Sequence, residues 1–188
     1  MAQKLVNYIE MDEFRKLMKA EKDRKFKLAY ALAMGSGLRI SEIIGYKGKS
    51  RKKNKKTGEI IEKDIVIPPL TKDKVDLDRH QIRVVGKRGK ERITVTSPML
   101  NKTNIELLPL KIPRRTLQAR FTRLCKKVLG KNLSFHSLRH GFANYMVNEK
   151  NVPLPMVQQM LGHSRLDTTG IYTKANPKKA IETAWESF

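Results

Sequence analysis

The sequence predicts a mainly α-helical chain with a small antiparallel β-sheet set among the helices, an α+β class. Three observations carry this: apolar residues recur at helical spacing toward both ends, two short strand-like runs flank a glycine-bearing turn in the middle, and no internal repeat of useful length is present. A chain of 188 residues supports one sizeable core, so residues 1–188 are read as a single domain, at most with a short appendage.

Taken in order, Asp12 and Glu13 put negative charge in the first turn of an opening helix, and Phe14, Leu17 and Met18 give it one apolar face. A second helix, from about Lys25 to Met34, carries Phe26, Tyr30 and Ala33 on one side and Leu28 and Leu32 on another. It stops in Gly35-Ser36-Gly37. Arg39 sits in the following turn, and Ser41 is suited to cap a short helix through Glu42, Ile43 and Ile44. Residues 47–63 change character: seven Lys or Arg fall between Lys47 and Lys56, closed by Thr57-Gly58, which reads as an inserted, exposed basic loop or hairpin. Beyond Pro68-Pro69, strands over Gln81 to Val85 and Arg92 to Val95 flank Gly86-Lys87-Arg88-Gly89-Lys90, a length and composition that suit a hairpin. From Pro113 onward the pattern is helical: Thr116 to Leu129, Phe135 to Asn148, Leu154 to Leu161 with Gly162 as a stop, then two short helices over 168–173 and 177–185.

Composition narrows the function. Forty Lys and Arg against eighteen Asp and Glu give a net charge of +22, the signature of a protein that binds polyanions. Nucleic acid is the leading partner. No stretch approaches the ~20 apolar residues of a spanning helix, and no basic-then-apolar leader opens the chain, so the expectation is a cytoplasmic protein with no membrane partner, nucleoid-associated if the host is prokaryotic. The single cysteine, Cys125, excludes an internal disulfide and a cysteine zinc site; its place in the pattern Leu117, Phe121, Leu124, Val128 makes it a small buried apolar residue.

Chemistry on a phosphodiester needs groups that meet an anion. The sequence contains no P-loop and no acidic metal cluster. Helical spacing puts His136 and Arg139 on one side, while Phe135, Leu138, Phe142 and Met146 supply a packed face. Leu161-Gly162-His163 ends a later helix, and Tyr172 follows nine residues on.

Gly37-Leu38-Arg39-Ile40-Ser41-Glu42, Phe135-His136-Ser137-Leu138-Arg139-His140, Leu161-Gly162-His163 and Tyr172 together resemble the tyrosine recombinases, on the side of the Xer and phage-integrase branch. Gly86-Lys87-Arg88-Gly89-Lys90-Glu91-Arg92, led in by Val75-Asp76-Leu77-Asp78, is similar to that family's hairpin with its active-site lysine. The ordered set spans residues 37–173, and it is specific where each block alone is weak. The resemblance implies the fold of a DNA breaking-rejoining catalytic domain and a nucleophile in Tyr172. Arg39 and Arg139 would clamp the phosphate as fork-shaped, always-charged donors; His136 would accept the phenol proton, and His163 would donate to the phosphate. Lys87 would protonate the leaving 5′-oxygen, with Lys90 as the alternative lysine. Glu42 would buttress Arg39, and His140 would support the site from behind. No cofactor, metal or ATP is expected, because the phosphotyrosyl link conserves bond energy. His136 and His140 lie four apart as helical metal ligands can, but no Glu follows His136 and the sequence shows no third ligand.

The expected partner is double-stranded DNA, contacted by Lys47, Lys49, Arg51, Lys52, Lys53, Lys55, Lys56, Arg88 and Lys90. The resemblance also implies self-association on DNA as a tetrameric synapse, with the C-terminal helix, residues 177–188 with Ile181 and Trp185 on one face, docking onto a neighbour. The helical N-terminal DNA-binding domain of typical members is expected to be absent here. Two competing functions share these features: a type IB topoisomerase that relaxes supercoils, and a catalytically silent DNA-binding protein.

Overall fold

The computed structural model describes residues 8–53, 58–86 and 89–162. Seven α-helices and five strands alternate in blocks within these residues. Helix α1 (Met11–Ala20) buries Phe14 and Leu17, while Asp12 and Glu13 occupy its first turn as the dipole favours. Helix α2 (Arg24–Ser36) is capped by Asp23, whose side chain accepts from Lys25 N at 2.8 Å. It is buried on every side from Leu28 to Met34, which makes it the axis of the core. Its end is set by Gly37 at φ 67°, where Leu38 N donates back to Leu32 O at 3.2 Å in a Schellman closure.

Around α2 the packing is aromatic. Tyr30 lies edge-on to Phe121 with centroids 5.2 Å apart, and Phe121 lies edge-on to Phe135 at 5.5 Å. Phe121 belongs to α5 (Arg114–Leu129), which buries Leu117, Phe121 and Cys125 on one face. Burial pushes the Cys125 thiol up to about 12, so it is an inert packing group. The buried carboxylate of Glu21, at the end of α1, ties three helices together: Arg120 of α5 donates to it twice, at 3.0 and 2.6 Å, and Tyr30 Oη of α2 donates to it at 3.3 Å.

Two small sheets are inserted. Strands β1 (Tyr46–Lys53) and β2 (Ile60–Ile67) form an antiparallel ribbon registered from Tyr46 opposite Ile67 to Lys53 opposite Ile60, so the basic run is one arm of a hairpin. Strands β3 (Val75–Asp76), β4 (Gln81–Val85) and β5 (Glu91–Val95) form a three-stranded antiparallel sheet in that order. Ile82, Val84 and Thr94 face inward, and Thr94 Oγ1 donates to Ser36 O at 2.9 Å, fixing β5 to the end of α2. After the short helix α4 (Lys102–Ile105) and α5 come α6 (His136–Asn144) and α7 (Leu154–Leu161). Phe142 and Ala143 pack with Val157 and Leu161 in a second, smaller core. Among the described residues no helix is long and apolar enough to cross a membrane.

Three sequence expectations need correction. Ser41 does not cap the short helix α3 (Ile40–Ile44): Arg39 occupies the cap with extended backbone, and Ser41 lies one residue inside the helix. Glu42, the third helical residue, reaches back to the cap and accepts from Arg39 N at 2.7 Å. The helix expected to run from Phe135 to Asn148 starts at His136 and widens into one π-helical turn over Tyr145–Glu149. The helix expected from Thr116 starts two residues earlier, at Arg114. The two helices expected over 168–173 and 177–185 lie outside the described residues.

Candidate active site

Glu42 is the centre of the site. Its carboxylate has no exposed surface, and three guanidiniums converge on it. Arg39, at the start of α3, donates Nη1 to Oε1 at 2.8 Å. Arg92, on β5, grips both oxygens with Nη1 and Nη2 at 2.7 and 2.8 Å. Arg139 of α6 holds Nη1 3.9 Å from Oε2. Burial alone would raise the Glu42 carboxyl, but the Arg92 hydrogen bonds and charge, then the Arg39 charge, outweigh it and hold it at about 2.

The three arginines differ in where their remaining donors go. Arg139, 3% exposed, gives Nη1 to Gly37 O and Nη2 to Leu161 O, each at 2.5 Å, so it staples the end of α2 to the end of α7. Arg92, 9% exposed, gives Nε to Met160 O at 2.7 Å. Arg39 is 35% exposed and presents charge to solvent. One buried carboxylate against three cations leaves a surplus of positive charge at this point, which an anion arriving from solvent would balance.

His136 opens α6 beside this cluster and lines a cleft of about 170 Å³ with Arg139, Leu38, Ile40, Arg114 and Gln118. A larger groove of about 580 Å³ between the end of α1 and α5 shares none of these residues. The His136 ring stands edge-on to His140 with centroids 4.5 Å apart. Burial of its inner part, then the neighbouring His140, Arg139 and Arg39, press the imidazole from 6.5 down to about 4. Its outer edge is open to water, which tempers the burial penalty; the cations keep the direction. His140 is lowered likewise, by burial and by Arg139. His136 is therefore neutral near pH 7. Among the described residues no three of His, Cys, Asp and Glu are grouped to hold a metal ion.

Residues 7–179 match the model of the phage integrase family. The chain belongs to the phage integrase family. It is 32% identical over 180 residues to the tyrosine recombinase XerA of Pyrococcus horikoshii, covering 92% of this chain and 59% of that protein. The chain thus spans about three fifths of that relative's length. Its fold is that of the tyrosine recombinase catalytic domains. A crystal structure of XerA recombinase superimposes with a TM-score of 0.67 at 20% identity, covering 99% of this chain and 66% of the other. The catalytic domain of bacteriophage HP1 integrase gives 0.60 at 15% identity, covering 95% and 94%.

Of the residues expected to act in this phage integrase family chain, the structure brings Arg39, Glu42, His136, Arg139 and His140 together. Lys87, His163 and Tyr172 lie outside the described residues, as do Arg88, Lys55, Lys56 and the 177–188 helix. Lys90 is exposed, and its carbonyl closes the β4–β5 hairpin by accepting from Gly86 N at 2.8 Å. Lys47, Lys49 and Arg51 are exposed along one face of β1, opposite Val66, Asp64 and Glu62, and Lys52 and Lys53 continue that strand. Arg92 is the residue that sequence reasoning missed. The available signal was parity: it shares the inward face of β5 with Thr94, and an arginine on a buried strand face requires a partner.

Proposed function

We propose that this chain is the DNA-cutting and rejoining unit of a site-specific recombinase, acting through a covalent 3′-phosphotyrosyl link to Tyr172. The observation that carries the reading is the positive surplus around Glu42 beside a neutral His136, in a chain of this family with a net charge of +22. In the first step the Tyr172 oxygen bonds to phosphorus as its proton passes to His136, and the phosphorus bond to the 5′-oxygen breaks. The leaving oxygen keeps the bonding pair and takes a proton from Lys87. Arg39 reaches the nonbridging oxygens from the solvent side, and Arg139 adds charge from beneath while it holds the backbone; His163 donates a further hydrogen bond. A 5′-hydroxyl attacking the phosphotyrosine reverses every step and rejoins strands without ATP or metal. Double-stranded DNA is the partner, with protomers associating on it as a tetramer and residues 177–188 docking on a neighbour.

A nicked suicide duplex tests this. Wild type is expected to give a denaturant-resistant protein–DNA band, and Tyr172→Phe none. Equal behaviour of the two removes Tyr172 as nucleophile, no band from wild type on any site favours a silent DNA-binding protein, and supercoil relaxation without recombinant product favours the topoisomerase reading.

A further inference from the structure

Arg92 has no role in the reading above, yet it is held from several sides. Its guanidinium makes three short hydrogen bonds, two to Glu42 and one to Met160 O. The bonds join three separate stretches of chain: β5, the start of α3, and the last turn of α7. Its stem packs where α7 ends, since a Cβ on Gly162 would lie 2.8 Å from Arg92 Cδ. The other arm of the hairpin runs close by the same pair: a Cβ on Gly86 would lie 3.7 Å from Glu42 Oε1 and 3.9 Å from Arg92 Nη1. Gly86 immediately precedes Lys87, and Gly162 immediately precedes His163.

We propose that Arg92 is a positioning residue for the leaving-group side of the reaction, fixing the base of the β4–β5 hairpin against the Arg39–Glu42 pair and the end of α7. This rests on the proposed strand cleavage with Lys87 as the proton donor. A general acid works only within hydrogen-bond reach of the oxygen it protonates, and a hairpin held by one end is placed only as well as its base is placed. The planar fork of an arginine fixes direction as well as distance. A lysine keeps the charge but is a single flexible point, unable to hold both Glu42 oxygens and Met160 O at once.

The test is single-turnover cleavage by the full chain on two suicide duplexes, one ordinary and one with sulfur in place of the 5′-bridging oxygen. A thiolate leaves without protonation, so a fault confined to the proton donor disappears on the sulfur substrate. Arg92→Lys is expected to cleave the oxygen substrate about 100-fold more slowly than wild type and the sulfur substrate within a few-fold of it, with DNA affinity unchanged. Equal slowing on both substrates, or no slowing on either, overturns the proposal. Arg92→Gln is measured in parallel with thermal melting; if neither variant melts cooperatively, Arg92 serves the fold alone and the proposal falls. Lys87→Ala separates this from the parent reading. If it is not rescued by sulfur while wild type cuts both duplexes, the assignment of the acid is wrong; if it is rescued and Arg92→Lys is not, only the role given to Arg92 is wrong.

Discussion

Glu42 shows how much of this site rests on one side chain. A fully buried carboxylate is expensive to strip of water, and it stays ionised here because Arg92 and Arg39 bond to it and Arg139 lies close. Removing it would strand two nearly buried guanidiniums. Glu42→Gln is therefore expected to lose about 3–5 kcal/mol of unfolding free energy near neutral pH, measured by urea denaturation. The sign with pH follows from the depressed carboxyl. Folding favours the ionised form, so its contribution is complete above the ordinary value of 4.5 and is lost as pH falls through about 2. The gap between wild type and Glu42→Gln should accordingly narrow between those limits. A gap that stays constant down to pH 2 would mean that packing, and not the ion cluster, sets the cost.

At the scale of elements, the β1–β2 hairpin shows what sequence conveys and what it withholds. The basic run was legible because charge is countable, whereas the turn expected at Thr57-Gly58 begins outside the described residues. The register was not, and it changes the electrostatics: Glu62 returns opposite Arg51, within 2.5 Å of Arg51 Nε and 3.3 Å of Lys49 Nζ. Two of the cations expected on DNA are thus partly neutralised within their own hairpin. Glu62→Gln should release both, tightening binding to non-specific duplex and steepening the slope of log affinity against log salt by roughly one to two, at about 0.9 per phosphate contact. Its stability should change by less than about 1 kcal/mol, as for other exposed pairs. A slope unchanged by the substitution would place this face of the hairpin away from DNA. Arg92 escaped notice for a related reason: among forty Lys and Arg, only the inward parity of β5 sets it apart. Arg39 and Arg139 were singled out because they stand in recognisable blocks, whereas the Ser41 cap was misjudged because the helix starts at Ile40, with Arg39 at the cap and its N–H tied back to Glu42.

Across the whole molecule, the helix periodicities picked out apolar faces on α1, α2 and α5 that pack in the main core, but they did not reveal a second core of Phe142, Ala143, Val157 and Leu161, which depends on how α6 and α7 cross. The cluster around Glu42 lies where the two cores meet, and Gly37 sits in that seam: its carbonyl accepts from Arg139, and its α-carbon faces Phe142 and Leu161. Gly130 ends α5 in the same left-handed conformation, φ 68° against 67°, but nothing lies within 4 Å of where its Cβ would be. The two glycines therefore separate backbone strain from close packing. Gly130→Ala should cost only the left-handed penalty, about 1–2 kcal/mol. At Gly37 the added methyl would also sit 2.6 Å from Phe142 Cδ1 and 2.9 Å from Leu161 Cδ2, a clash worth about 1–3 kcal/mol more, and it would push on the carbonyl that orients Arg139. Urea unfolding of the two variants should show Gly37→Ala as clearly the more damaging, with strand cleavage reduced in the folded fraction of that variant alone. Equal losses would mean that the seam yields easily, and that Arg139 is held in place by Glu42 and α7 rather than by the junction of the two cores.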